Sequence, residues 1–254
     1  RANDVRRDSV GDEVHLRGLI EVSNICVRQC SYCGIRAGNA GLTRYRMTTD
    51  EVVECARAAA SLGHGTVVLQ GGEDPGLTPE WVLDVVARIK AELPLAVALS
   101  LGERSTPELT AWRRAGADRY LLRFETSNAS LFARVHPARN DCAPRDRIAM
   151  LHELRDIGYE VGSGAMVGIP GQTLADVADD VSLFQDLDLD MIGIGPFIPH
   201  PATPLGSSLA DPIEGQAPAT DLMTYKVLAL ARICCPRANI PSTSALATLN
   251  PRDG

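Results

Sequence analysis

Short apolar runs alternate with longer amphipathic stretches along most of the chain. Runs of this length are typical of β-strands, and the stretches between them carry apolar residues at helical spacing. Repeated units of a strand and a helix predict a parallel sheet with right-handed crossovers. We predict seven strands, the last with the weakest pattern: Leu19–Ile25, Thr66–Gln70, Leu95–Leu101, Arg119–Glu125, Tyr159–Val167, Met191–Phe197 and Pro241–Leu249.

The segments between the strands carry helix-start chemistry, in which a cap hydroxyl accepts an early amide and an acid follows near the positive helix end. Such starts lie at Thr48 with Glu51, Thr78-Pro79-Glu80, Thr106-Pro107-Glu108 and Thr173 with Asp176. Glycines that can end helices follow at Gly63, Gly116 and Gly158. Seven strands in a chain of 254 residues favour an α/β fold of the (β/α) TIM-barrel type.

Composition supports one folded enzyme-sized unit. Hydrophobic residues make up 45% and charged residues 22%, which excludes disorder. A net charge of -7 and 4% aromatic residues disfavour nucleic-acid binding, and no apolar run approaches the ~18 residues of a membrane span. We expect one domain over residues 1–254, with strand 1 starting at about residue 18. Because the chain begins at Arg1 and ends shortly after an apolar segment, we expect both ends to be truncated, with a last barrel strand missing.

Three of the seven cysteines, Cys26, Cys30 and Cys33, fall within eight residues directly after strand 1. An odd number of cysteines without a secretory signal predicts a reducing, cytoplasmic location. A structural zinc site requires four ligands, and no fourth Cys or His follows closely, since His64 is 31 residues beyond Cys33. Three thiolates on a tight loop suit a cubane iron–sulfur cluster with one open iron, which can chelate a small molecule. The alternative is a chance group of buried cysteines.

Strand four places charged residues on one face. Arg119, Arg123 and Glu125 share one face, and the other face carries Tyr120, Leu122 and Phe124. Because helices cover the outer face of a barrel strand, the apolar residues should point outward and the charged residues inward. Buried charges need partners. Either they form an internal ion pair without a ligand, or Glu125 near the mouth binds a hydroxyl group while Arg119 and Arg123 bind a carboxylate.

Small and amide residues mark the carboxyl ends of strands two and three. Gln70 and Ser100 are predicted to point inward, where they leave room for a ligand and offer polar atoms to it. Gly71 and Gly72 let the backbone approach a ligand without obstruction by a Cβ atom. Each of these features is also compatible with plain barrel packing or a simple turn.

The spacing of Cys26, Cys30 and Cys33, with Tyr32 before the last cysteine, resembles the signature of the radical S-adenosylmethionine (SAM) superfamily. Further blocks resemble the family of the FeFe-hydrogenase maturase HydE. These blocks are Glu21-Val-Ser-Asn-Ile-Cys26, Arg44-Tyr-Arg-Met47, Leu69-Gln-Gly-Gly-Glu-Asp-Pro75, Leu99-Ser-Leu-Gly-Glu103, Ala117-Asp-Arg-Tyr-Leu-Leu-Arg-Phe-Glu-Thr126, Met166-Val-Gly-Ile-Pro-Gly-Gln-Thr173 and Gly193-Ile-Gly-Pro-Phe-Ile-Pro-His-Pro201.

The resemblance implies a 4Fe-4S cluster on the three cysteines and reductive cleavage of SAM to a 5'-deoxyadenosyl radical, in maturation of the FeFe-hydrogenase H-cluster. It implies a small carboxylate- and sulfur-containing substrate such as a cysteine-bound iron complex, a reducing electron donor and companion maturases. Tyr32 would contact adenine through its backbone, and Arg147, with Arg145 as a rival, would meet the SAM carboxylate. The remaining implied roles are SAM positioning by Gly71, Gly72, Ser100 and Glu125, and substrate binding by Arg119, Arg123 and Gln70.

Two other functions remain open. Methylornithine synthase and biotin synthase resemble HydE in barrel layout and share the cysteine loop. Two inward arginines favour an acidic substrate over the two amines of lysine, which favours HydE. The non-enzymatic alternative is a zinc- or cluster-binding scaffold without SAM turnover.

Overall fold

The computed structural model describes residues 1–138, 144–207 and 213–249. Within them, six parallel strands form one sheet in chain order: β1 Gly18–Ser23, β2 Thr66–Gly71, β3 Ala96–Ser100, β4 Arg119–Leu121, β5 Glu160–Val167 and β6 Met191–Pro196. The helices are α1 Ala2–Val10, α2 Thr49–Ser61, α3 Pro79–Glu92, α4 Thr106–Ala115, α5 Ala129–Val135, α6 Arg147–Ile157, α7 Leu174–Asp186, α8 Pro204–Ser207, α9 Asp221–Cys234 and α10 Ser244–Leu249. None of the helices in these ranges is long and apolar enough to cross a membrane.

The predicted α/β architecture is confirmed as a partial barrel, an open sheet with β1 and β6 at its edges. The prediction of a seventh strand over Pro241–Leu249 is wrong, because α10 occupies most of that segment. Just before this segment, Asn239 forms an isolated parallel bridge to Met191 of β6. The alanines and leucines of this segment favour a helix, and this local preference prevails over the weak apolar alternation.

The two faces of the sheet have different environments. Outward side chains are buried under the helices, including Tyr120, Leu122 and Phe124, as predicted for strand four. The inward face lines an open lumen in which even Leu19 is 57% exposed. Strand four itself is shorter than predicted, since regular pairing ends at Leu121 and Glu125 returns to β5 as an isolated bridge to Ala165.

Most predicted helix boundaries are confirmed. Thr48 and Glu51 form a reciprocal capping box at the start of α2, and Gly116 and Gly158 end their helices in the left-handed conformation. Helix α4 differs, because Ser105 rather than Thr106 is its N-cap. The helix starts and the strand ends together place the loops that follow the strands along one edge of the sheet.

Candidate active site

The three predicted cysteines lie on the loop that leaves the carboxyl end of β1. Their thiols are free and partly buried. The loop contacts the segment after β2, because the Val27 amide donates to the Glu73 carbonyl at 3.0 Å. Gly72 permits this approach, since a Cβ atom there would overlap the Ile25 carbonyl oxygen and lie 2.7 Å from Cys26 Cβ. Glycine at this position is therefore a packing requirement of the cysteine loop.

Arg44 stabilises the conformation of the cysteine loop through hydrogen bonds to its backbone carbonyls. Its guanidinium donates to the carbonyl of Asn24 at 2.6 Å, before the cysteines, and to that of Ile35 at 2.7 Å, after them. It also donates to the carbonyls of Arg36 and Asn39. One side chain thus ties the two ends of the loop together. We expected nothing of Arg44 individually, although it stands in a block that resembles the HydE family.

The chemistry of the three thiols fits a cluster that carries positive charge. The pKa of the Cys30 thiol is raised to about 12, mainly by burial, while Arg147 lowers it and Cys33 and Cys26 raise it. Three thiolates so close together repel one another, and iron ions bound to them offset that repulsion. No group of three or more His, Cys, Asp or Glu in the described ranges is arranged to hold a single metal ion. A cubane differs from such a site because it distributes its thiolates over separate irons.

A chain of buried ion pairs runs beside the loop, and the sequence did not reveal it. Arg28 pairs with Glu73 and, at 2.7 Å, with Glu103, whose side chain is only 1% exposed. Arg147 completes the chain through Nε, 2.9 Å from the second oxygen of Glu103. Burial raises the pKa of Glu73, and Arg28 opposes that shift. Glu103 follows the carboxyl end of β3 by three residues, and in a barrel of this type site residues follow the strand ends. This position is the sequence signal that could have identified it.

The structure separates the two rival arginines. Arg147 is buried at the first position of α6 and donates through Nη1 to the Arg123 carbonyl at 2.7 Å, with Phe132 under its guanidinium. Its Nη2 has no hydrogen-bond partner among the described residues. Arg145 is 44% exposed and pairs with Glu153 at 3.1 Å. Arg147 is therefore the arginine that faces the cysteine loop with a donor to spare.

Glu125 is a buried carboxylate with unused acceptor capacity. Its backbone is left-handed, at φ 66°, and its side chain is 8% exposed. Oε2 accepts no hydrogen bond from the described chain, although Arg123 Nη2 is 3.2 Å away. That arginine instead donates to the Ala165 carbonyl at 3.0 Å, and its buried Nε has no described partner either. Unpaired acceptors and donors of this kind fit a polar ligand at the mouth of the lumen.

The side chain of Tyr32 extends from the cysteine loop toward Glu125. Its hydroxyl oxygen is 3.0 Å from His136 Nε2 and 3.5 Å from Glu125 Oε1. The rings of Tyr32 and His136 meet edge to face. His136 ends α5 and is almost fully buried, and no sequence signal singled it out.

The predicted substrate residues are spread along the lumen, a cavity of about 400 Å³ lined by Gln70, Arg119 and Arg123. Gln70 is paired in register with Ser100 near the carboxyl edge. Arg119 lies four residues before Arg123, at the amino-terminal start of β4. It pairs with Glu160 at 2.5 Å and donates to Thr66 Oγ1 at 3.0 Å. The structure thus brings Arg123, but not Arg119, to the mouth that the cysteine loop covers.

Comparisons with known proteins agree with this arrangement. Residues 20–184 match the radical SAM superfamily. The chain is 48% identical over 250 residues to the FeFe hydrogenase maturase subunit HydE of Thermotoga maritima, covering 98% of this chain and 68% of that protein. It is 26% identical over 244 residues to 3-methylornithine synthase of Methanosarcina acetivorans, covering 95% of this chain and 66% of that protein. The crystal structure of methylornithine synthase (PylB) matches with a TM-score of 0.82 and 26% identity over 94% of this chain and 68% of that one.

A cysteine tripod at the carboxyl edge of a partial barrel is the arrangement of a radical SAM enzyme, and the cofactors of this class are a 4Fe-4S cluster and SAM. The chain spans about two thirds of the length of these relatives. Within the superfamily, it belongs to the HydE family.

Proposed function

We propose that this protein reductively cleaves SAM in the maturation of the FeFe-hydrogenase H-cluster. The observation that carries the proposal is the free three-cysteine loop beside Arg147 and beside Glu125, whose Oε2 accepts no hydrogen bond, in a chain 48% identical to HydE of Thermotoga maritima. Because a reduced cluster requires a reducing compartment, we assign the activity to the cytoplasm, with an electron donor and companion maturases as partners.

In this proposal Cys26, Cys30 and Cys33 hold the cluster. When bound, the cluster supplies the electron that splits SAM into methionine and a 5'-deoxyadenosyl radical. Arg147 donates to the SAM carboxylate through Nη2, because Glu103 and the Arg123 carbonyl hold its other two nitrogens in place. Glu125 accepts from hydroxyl groups of the ribose.

The other SAM contacts come from the ends of the neighbouring strands. Gly71 and Gly72 offer backbone carbonyls to the SAM ammonium, and Ser100 adds a hydroxyl from β3. Tyr32 borders the adenine through its backbone. These roles are supported by the position of each residue at the carboxyl edge of the sheet.

The substrate occupies the lumen in this proposal. Arg123 binds a carboxylate of a small sulfur-containing molecule, since its Nε is buried without a described partner. Gln70 supplies an amide beside it. Arg119, deeper in the lumen and already paired with Glu160, contributes positive potential to the binding of an acid.

Anaerobic reconstitution tests the proposal directly. The dithionite-reduced protein should release 5'-deoxyadenosine and methionine, and Cys30→Ala should abolish this release. Cys55→Ala, on the exposed face of α2, is the matched cysteine control and should retain it. No release from protein that holds a full 4Fe-4S cluster would support a non-catalytic scaffold instead.

A methylornithine synthase activity is the second candidate, favoured by the TM-score of 0.82 to that enzyme. Its substrate would be lysine, whose two amines need acidic partners. The lumen presents Arg119 and Arg123, and its carboxylates Glu160 and Asp190 are already paired with Arg119 and Arg155. Incubating the reconstituted protein with lysine and SAM distinguishes the two functions. Formation of methylornithine would overturn the maturase assignment.

A further inference from the structure

His136 carries its ring proton on the nitrogen that faces its own helix. Nδ1 lies 3.2 Å from the Phe132 carbonyl oxygen, which can only accept a hydrogen bond. Burial, and after it the charge of Arg147, lower the pKa of His136 to about 3, so the ring is neutral. A neutral ring with its proton on Nδ1 leaves a lone pair on Nε2.

The lone pair on Nε2 determines the direction of the Tyr32 hydrogen bond. Tyr32 Oη is 3.0 Å from Nε2 and can be only the donor in that contact. A phenol has one proton, so Tyr32 has none left for Glu125, 3.5 Å away. The buried Glu125 carboxylate therefore keeps acceptor capacity: Oε2 has Arg123 Nη2 as an ion-pair partner at 3.2 Å but accepts no hydrogen bond from the described chain, and Oε1 has only the long contact to Tyr32.

We propose that His136 is a positioning residue: its Nε2 accepts the hydrogen bond from the Tyr32 hydroxyl, and this keeps the Glu125 carboxylate free to accept hydrogen bonds from the ribose hydroxyls of SAM. The inference rests on the proposed function, since it requires Glu125 to bind SAM. Without an acceptor at position 136, the Tyr32 hydroxyl turns to Glu125 and competes with the ribose for the same oxygens. Hydrogen bonds to an ionised carboxylate are the strong ones, so the competition is substantial.

SAM binding to the cluster-loaded protein, measured by equilibrium dialysis, tests this role. His136→Phe removes the acceptor and should weaken SAM binding about tenfold, the value of one charge-assisted hydrogen bond. His136→Gln can still accept from Tyr32 and should bind SAM within about twofold of the wild type. Adding Tyr32→Phe to His136→Phe removes the competing proton and should restore most of the lost affinity.

The kinetic signature separates positioning from general damage. For His136→Phe, the KM for SAM should rise while kcat for 5'-deoxyadenosine release at saturating SAM stays within about twofold. The reason is that the ribose is bound equally more weakly in the ground state and in the transition state. Binding of free methionine, which has no ribose, should be unchanged. Equal SAM affinity in wild type and His136→Phe, or a double variant as weak as His136→Phe, would overturn the inference.

The tautomer can be observed in the wild-type holoenzyme, so this test does not depend on the folding of His136→Phe. Nitrogen-15 NMR of the histidine-labelled holoenzyme should show the His136 ring protonated at Nδ1 and not at Nε2, with the resonance assigned by its loss in His136→Gln. A ring protonated at Nε2 would overturn the inference even if His136→Phe does not load its cluster. If the wild type itself binds no SAM, the proposed function fails, whatever the tautomer.

Discussion

Removing the carboxylate of Glu103 is the strongest perturbation of this site that leaves the cysteines untouched. Glu103 accepts from Arg28 at 2.7 Å, from Arg147 at 2.9 Å and from the Arg145 amide at 2.8 Å, with its side chain 1% exposed. Breaking a buried ion pair by removing one partner costs about 3–5 kcal/mol. Because Arg28 keeps Glu73 and Arg147 keeps the Arg123 carbonyl, we expect Glu103→Ala to lose about 3 kcal/mol, the lower end of that range.

Glu103→Gln should be milder for stability but not for SAM binding. The amide keeps one acceptor oxygen, so we expect a loss of about 1–2 kcal/mol in the free energy of unfolding. Arg147 loses the ionised acceptor that orients its guanidinium, and for this reason SAM affinity should fall about tenfold. Urea denaturation of the anaerobic protein and equilibrium dialysis with SAM measure the two effects.

Glu153→Gln is the matched control, because Glu153 is the partner of the rival Arg145 and is 22% exposed. A partly exposed ion pair contributes roughly 0–1 kcal/mol, and SAM affinity should not change. If Glu103→Ala unfolds within about 1 kcal/mol of the wild type, the ion pairs contribute less than argued. If Glu153→Gln weakens SAM binding as much as Glu103→Gln, Arg145 rather than Arg147 meets SAM.

Two further predictions concern the loop and the protein's pH dependence. In Gly72→Ala the new methyl group would overlap the Ile25 carbonyl and displace the cysteine loop, which should lower the free energy of unfolding by about 1–3 kcal/mol and lower the bound iron per chain. Gly65→Ala is the control and should load iron normally, because nothing lies within 4 Å of a Cβ atom at that position. Equal iron contents in the two variants would contradict this prediction. Burial raises the pKa of Asp180 to about 6 from 3.8, so its contribution to stability is present below pH 3.8 and lost as pH rises through 6. The stability of the wild type relative to Asp180→Asn should therefore fall by about 2 kcal/mol between pH 4 and 7, and a constant difference in urea midpoints would refute this.

Much of the fold was accessible from local patterns. Six of the seven predicted strands are present, because the alternation between apolar runs and capped helices depends on neighbouring residues alone. The inward direction of Arg123 followed from the period of two in a strand. The seventh strand was wrong because Ser244–Leu249 has a helical preference that its apolar pattern conceals.

The site was less accessible, because its decisive contacts join residues far apart in the chain. The Cys26, Cys30 and Cys33 motif lies in eight consecutive residues and needed no structure. Arg28 meets Glu103 across 75 residues, and Tyr32 meets His136 across 104, so neither pair has a local signature. Whether Arg145 or Arg147 faces the loop depends on the start of α6, which two nearby arginines cannot reveal in sequence.

The sequence by itself predicted the class of chemistry, since ligand type and spacing on one loop indicate a three-thiolate cluster site irrespective of the rest of the chain. The tertiary structure decided which charges are satisfied and which are left for a ligand. Burial and partner geometry give a carboxylate or a guanidinium its role, and both arise only when distant strand ends converge on one edge of the sheet.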